Sequence, residues 1–147
     1  MAVDIYDPAR PFIVDRVAVG GTATGISVRE ELAYLSILED ENSGSIRTVD
    51  VRMPDETSLT EFASFSEEVP IDLAVGGEEL YFLSSSSGYS YLKVLDPAGG
   101  GEIGSYDLAV GGSLDELLEE RLTVAGGLAF VNCGNELRVI DLADCNA

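Results

Sequence analysis

The chain repeats itself with a period near 47 residues. A short apolar run with an aspartate recurs as Val3-Asp4-Ile5, Val49-Asp50-Val51, Val94-Leu95-Asp96 and Val139-Ile140-Asp141, its aspartates spaced 46, 46 and 45 apart. A second segment recurs as Leu32-Ala33-Tyr34-Leu35, Leu80-Tyr81-Phe82-Leu83 and Leu128-Ala129-Phe130-Val131, its leucines spaced 48 and 48 apart. A third precedes each of these: Ile26-Ser27-Val28, Leu73-Ala74-Val75 and Leu122-Thr123-Val124. Three landmarks in phase are the mark of a repeat architecture. In such a protein each unit buries its apolar surface only against its neighbours.

Each unit reads as four short strands. The first is expected at 24–28, 70–75 and 121–125, the second at 32–37, 80–85 and 128–133. The third is expected at 45–51, 90–96 and 137–142, the fourth at 12–19, 59–65 and 102–110. All are rich in Val, Ile, Leu, Tyr and Phe, which fit a pleated, half-buried surface. Turn residues separate them: Gly76-Gly77, Gly126-Gly127, Asn42-Ser43-Gly44, Gly134-Asn135 and Pro97 through Gly101. The first two strands of a unit are mostly apolar. The fourth carries Asp15, Arg16, Glu61, Glu102 and Asp107, which predicts an inner first strand and a peripheral last one.

Four-stranded units of this length describe the blades of a β-propeller. The expected fold is therefore all-β: three four-stranded antiparallel repeats of about 47 residues in a single unit. End strands occupy 2–19, and the blades run about 20–65, 66–110 and 111–142. The segment Val3-Asp4-Ile5-Tyr6-Asp7-Pro8-Ala9-Arg10-Pro11 resembles the "VIDVSDPxxP" stretch of LVIVD-repeat β-propellers. Leu137-Arg138-Val139-Ile140-Asp141-Leu142-Ala143-Asp144 repeats it, and the LAYL and LAFV segments are similar to that family's "YAYVAD" strand. The middle copies depart from it at Arg52-Met53-Pro54 and Pro97-Ala98-Gly99. The resemblance implies a bacterial or archaeal propeller, often surface-associated, with no activity common to the family.

Counting strands exposes a shortfall. The last unit lacks its fourth strand, which 12–19 is placed to supply, and 2–6 is then surplus. Three blades are also fewer than the ~4–8 with which propellers close. An open stack leaves two apolar end faces in water. The alternatives are self-association, such as two chains making six blades with exchanged end strands, or a place within a longer propeller, or a strained open monomer.

Charge narrows the partners. Among 147 residues there are 27 acids and eight bases, a net charge of −19, and Lys93 is the only lysine. Phosphate binding needs clustered Lys and Arg, so nucleic acid and anionic membrane surfaces are poor partners. No apolar run reaches the ~18–20 residues of a membrane span. The opening residues have no signal-peptide pattern, so an exported form would need a longer parent. There is no histidine, which removes Ser-His-Asp, Cys-His and His-ligated metal chemistry from this chain. Cys133 and Cys145 are the only cysteines. Residue 133 should lie opposite about 136, and Cys145 beyond the strand end, leaving a disulfide or two free thiols open.

Chemistry is expected on the loop face that joins fourth to first strands and second to third strands. Its loops hold Glu39, Asp40, Glu41, Glu67, Glu68, Asp115, Glu116, Glu119 and Glu120. A face of one sign focuses potential and suits a basic protein partner or a cation; it is also what a uniformly acidic surface looks like. Asp40 and Asn42, followed by Gly44, present oxygens at alternate positions as calcium sites do, but Val51 stands where an EF-hand has its closing glutamate. A polar hairpin turn accounts for the segment equally. No catalytic residue and no other cofactor are expected.

Ser113 and Glu116 form a capping-box pattern, so a short helix is expected near 113–121, with its leucines covering the end of the stack or, alternatively, binding a partner or acting as a lid. The four spaced aspartates read as turn-forming residues bonding the following backbone. The leading functional reading is a non-enzymatic scaffold or interaction module acting through the acidic face. The competing readings are a carboxylate-based hydrolase or calcium-dependent binder at the channel mouth, or a fragment of a larger propeller without independent activity. Carboxylates converging on one pocket across blades would favour an enzyme; dispersed ones favour a scaffold.

Overall fold

A computed structural model describes residues 1–53 and 58–143. The chain is all-β, with its strands in successive antiparallel sheets. A hairpin of β1 (Ala2–Asp4) and β2 (Phe12–Asp15) comes first. The first sheet runs β3 (Thr22–Arg29), β4 (Leu32–Asp40), β5 (Ser43–Asp50) and β6 (Thr60–Ser66), in that order. The second runs β7 (Val69–Gly76), β8 (Glu79–Ser86), β9 (Tyr89–Leu95) and β10 (Glu102–Gly111). After the helix α1 (Leu114–Leu117), the third holds β11 (Arg121–Ala125), β12 (Leu128–Cys133) and β13 (Glu136–Asp141). Every expected strand is present within a few residues.

Local chemistry shapes these units. The four repeated aspartates each accept a bond from the backbone N–H two residues on: Tyr6 to Asp4 at 2.7 Å, Arg52 to Asp50 at 2.9 Å, Ala98 to Asp96 at 2.9 Å and Ala143 to Asp141 at 3.0 Å. The first three turns start the crossing to the next strand, as expected. Arg52 also clasps Asp50 through its guanidinium, which holds that carboxyl down to about 2.

The leucine landmark is out of step in the second sheet. Leu32 pairs with Asp50 and Leu128 with Asp141, but Leu80 pairs with Leu95. The true equivalent is Glu79, paired with Gly76 as Leu32 is with Arg29 and Leu128 with Ala125. The two-residue turns 30–31, 77–78 and 126–127 set this register, and a one-residue shift moves side chains to the other face. Tyr34, Tyr81 and Phe130 therefore occupy one position, opposite Thr48, Val94 and Val139.

The sheets pack face to face through their inner strands, with β7 between β3 and β11. One core layer joins Tyr34 and Ile46 of the first sheet to Leu73, Leu80 and Phe82 of the second. Phe65 stacks on Phe82 at a ring separation of 5.1 Å, and Tyr34 meets Phe62 edge-on at 5.6 Å. The other layer joins Tyr81, Leu92 and Val94 to Leu122, Val131 and Ile140. Polar links cross both layers. Thr24 Oγ1 donates to the Pro70 carbonyl at 3.1 Å, the Val75 N–H to Ser27 Oγ at 3.2 Å, and the Leu122 N–H to Asp72 Oδ2 at 2.9 Å.

Three expectations are corrected. Strand 12–19 does not complete the third sheet: β2 is shorter and pairs with β1, leaving three strands there among the described residues. The connection is short and closed by a bond from the Arg10 N–H to the Asp7 carbonyl, so local pairing costs less entropy than a distant one. The helix is a single turn, because Glu119 and Glu120 already lead into β11. Gly44 is not a turn residue: it lies within β5, and the turn is Glu41-Asn42. Within the described residues the sheets do not close into a ring, and apolar side chains of the first and third sheets face solvent. Cys133 is a buried free thiol opposite Glu136, and burial pushes it up. Cys145 lies outside the described residues.

Candidate functional site

Four of the loop segments expected on one face meet at a cleft. The β4–β5 turn, the β6–β7 turn, the β8–β9 turn and the start of α1 surround a cleft of about 540 Å³. Glu41 and Asn42, Glu67 and Glu68, and Asp115 line it, one contribution from each of three separate loops. Ser85, Ser87 and Gly88 supply a neutral polar wall, and Leu38, Leu114 and Leu118 an apolar one.

Each acid has a different situation. Glu68 is half-buried at the head of β7, where Lys93 Nζ contacts it at 2.8 Å and Glu102 at 3.0 Å. Burial alone would lower the Lys93 ammonium; the two carboxylates outweigh it and hold it above its ordinary value. Glu67 sits in the tight β6–β7 turn at φ +63, a left-handed conformation that few non-glycine residues adopt. Among the described residues no basic side chain pairs with Glu41, Glu67 or Asp115. The cleft thus keeps most of its negative charge.

The remaining candidates are used elsewhere. Glu39 pairs with Arg47 at 2.8 Å. Glu116 closes the capping box, accepting from the Ser113 N–H at 2.9 Å, which lowers its carboxyl below the ordinary range. Glu119 is exposed and lies off the cleft. Asp40 accepts from the Asn42 N–H at 2.8 Å, and this bond, with one from Ser43, holds its carboxyl low. Its oxygens serve the hairpin turn. Among the described residues no three His, Cys, Asp or Glu side chains gather closely enough to hold a metal ion.

Glu120 departs most from expectation. It is 1% exposed and so is no part of an open docking face. Ser90 Oγ donates to its Oε2 at 2.8 Å. Burial raises its carboxyl above the ordinary 4.5, and the Ser90 bond opposes this only in part. Between 4.5 and the raised value the folded chain holds more proton than the unfolded one, so this group's contribution to stability falls as pH rises. Glu120→Gln keeps an acceptor for Ser90 and removes the charge. Urea unfolding at pH 4.5 and pH 8 should show the variant gaining on the parent at the higher pH; an equal gap at both pH values would contradict it.

Sequence reasoning missed Asp72, which is buried on the inner strand β7 and accepts from Leu73 and Leu122 N–H groups, both at 2.9 Å. A lone acid inside the apolar run Val69–Val75 was its only signal. Burial pushes its carboxyl up. Neither Asp72 nor Glu120 lines the cleft.

No family model matches this chain, and no curated protein does. Among solved structures it is similar to the computationally designed Ika4 protein, at 8% identity and a TM-score of 0.42 over 89% of this chain and 98% of that one.

Proposed function

We propose that the chain is a non-enzymatic interaction module of β-propeller type, similar to LVIVD-repeat propellers, which takes a basic segment of a protein partner into its acidic cleft. The observation that carries this reading is the meeting of Glu41, Glu67, Glu68 and Asp115 from separate loops at one cleft. The repeat of three inner-to-outer meanders supports the blade assignment. Carboxylates do converge across sheets, as an enzyme would require. A hydrolase, however, needs one carboxyl held neutral beside an ionised one, and the two buried acids, Asp72 and Glu120, lie off the cleft. Single-sign charge with serine and leucine walls suits a cationic peptide with short apolar spacers.

Titration calorimetry with a Lys/Arg-rich peptide of about twelve residues is the test, and binding should weaken on raising salt from about 20 to 200 mM. Combined Glu41→Gln, Glu67→Gln and Asp115→Asn should weaken it about tenfold or more. A control removing Glu61, Asp107 and Glu136, acids off the cleft, should have little effect. Equal losses in both variants would reduce the cleft to general surface acidity.

A further inference from the structure

The internal packing rule of the chain names the occupant of its two open ends. Inside the chain every sheet-to-sheet contact is made the same way. The face carrying the Tyr34 and Tyr81 position looks toward the following sheet. The face carrying the Leu73, Phe82 and Leu122, Val131 positions looks toward the preceding one. The third sheet shows the first kind of face to solvent, and the first sheet shows the second kind.

Burial makes the equivalence concrete. Leu137 and Val139 precede Asp141 by four and two residues, as Leu92 and Val94 precede Asp96. Leu92 and Val94 are 0% exposed, whereas Leu137 is 68% and Val139 55% exposed. Ile26 pairs with Leu35 as Leu73 pairs with Phe82 and Leu122 with Val131. Leu73 and Leu122 are 3% and 6% exposed, whereas Ile26 is 65% exposed. The first and third sheets thus expose the two halves of an interface that is made twice between neighbouring sheets.

The N-terminal segment covers only the outer part of the first-sheet face. Arg47 Nη1 donates to the Val19 carbonyl at 3.0 Å, as Arg138 at the equivalent position donates to the Leu108 carbonyl of the preceding sheet. What lies over Ile26, Val28 and Leu35 is an apolar hollow of about 180 Å³ shared with Met1 and Val17. Among the described residues the third sheet meanwhile has no fourth strand beside β13, and β2 is the strand that the repeat places in that role.

We propose that a second copy of this chain seats its third sheet, through Phe130, Leu137 and Val139, on Ile26, Val28 and Leu35 of the first sheet. The contact is reciprocal. In each junction β2 of the receiving copy supplies the fourth strand to β13, releasing the three-residue β1. Head-to-tail interfaces close into rings when the rotation permits. The stoichiometry rests on the propeller reading above: three sheets per chain reach the ~4–8 blades of closed propellers only as six. The head-to-tail contact itself does not depend on that reading.

Light scattering coupled to gel filtration on the full chain should give about twice 15.6 kDa. Ile26→Asp and Val139→Asp alter side chains exposed in the single chain, so each should fold, by circular dichroism, and run as a monomer. An equimolar mixture should recover a two-chain species, because one junction of wild-type faces remains possible between the variants. A wild-type mass of 15.6 kDa, variants that leave the mass unchanged, or a mixture that stays monomeric would each overturn the proposal. Peptide binding is read on the same samples. A monomer that still binds the basic peptide defeats this proposal alone, and a two-chain species that does not bind it defeats only the cleft reading.

Discussion

Replacing Asp72 with alanine should cost the fold about 2–6 kcal/mol, since it strands two buried N–H groups at about 1–3 kcal/mol each. Those groups are the Leu73 N–H within β7 and the Leu122 N–H of the neighbouring sheet. The second bond ties β7 to β11, so the loss should spread to both sheets. Asp72→Asn keeps one acceptor and should recover part of the deficit. Urea unfolding at pH 7 measures both, and a loss below about 1 kcal/mol for the alanine variant would show that water replaces the carboxylate. Gly25 gives an independent view of the same spot. A methyl there would run into Asp72 Oδ1 and lie 2.9 Å from Ser36 Oγ. Gly25→Ala should therefore be strongly coupled to Asp72→Ala in a double-mutant cycle.

Gly44→Ala is expected to be about as damaging, near 3 kcal/mol. A Cβ at Gly44 would collide with Pro70 Cδ and sit 2.5 Å from the Ile37 carbonyl oxygen. Neither obstacle can swing away, because one is a ring on β7 and the other is backbone of β4. Relief requires β5 and β7 to separate, which opens the core layer holding Phe82 and Ile46. Gly99→Ala is the matched control, because nothing lies within 4 Å of a methyl there. A melting temperature lowered by several degrees for the first variant and unchanged for the second is the expected pair of results. Equal melting temperatures would mean that the sheets are less closely packed than described.

The strands, their order and the loop face were legible in the residues because those features follow from local chemistry. Apolar alternation between Gly-rich turns marked the strands, and aspartates spaced 46, 46 and 45 apart marked the ends of the third strands. Ser113 and Glu116 announced the helix start through their reciprocal bonds. Four of the nine acids named from sequence line the cleft. The other five do not, for reasons no spacing carries: Glu39 has Arg47 within 2.8 Å, Glu120 is covered, Glu119 is exposed away from the cleft, and Asp40 and Glu116 serve their own turns.

By itself, then, the sequence determined that this chain is a three-unit β repeat, acidic on one loop face, without histidine chemistry. Those are properties of composition, periodicity and turn residues, which act over a few residues. Only the tertiary structure decided which side each residue takes. A one-residue step between Leu80 and Glu79 turned a leucine landmark into a register difference, because side chains alternate with a period of two and the turns, not the pattern, fix the pairing. It also gave Gly44 and Asp72 their meaning, as a close approach of backbones and as an acceptor between sheets. Both depend on strands that lie far apart in the chain.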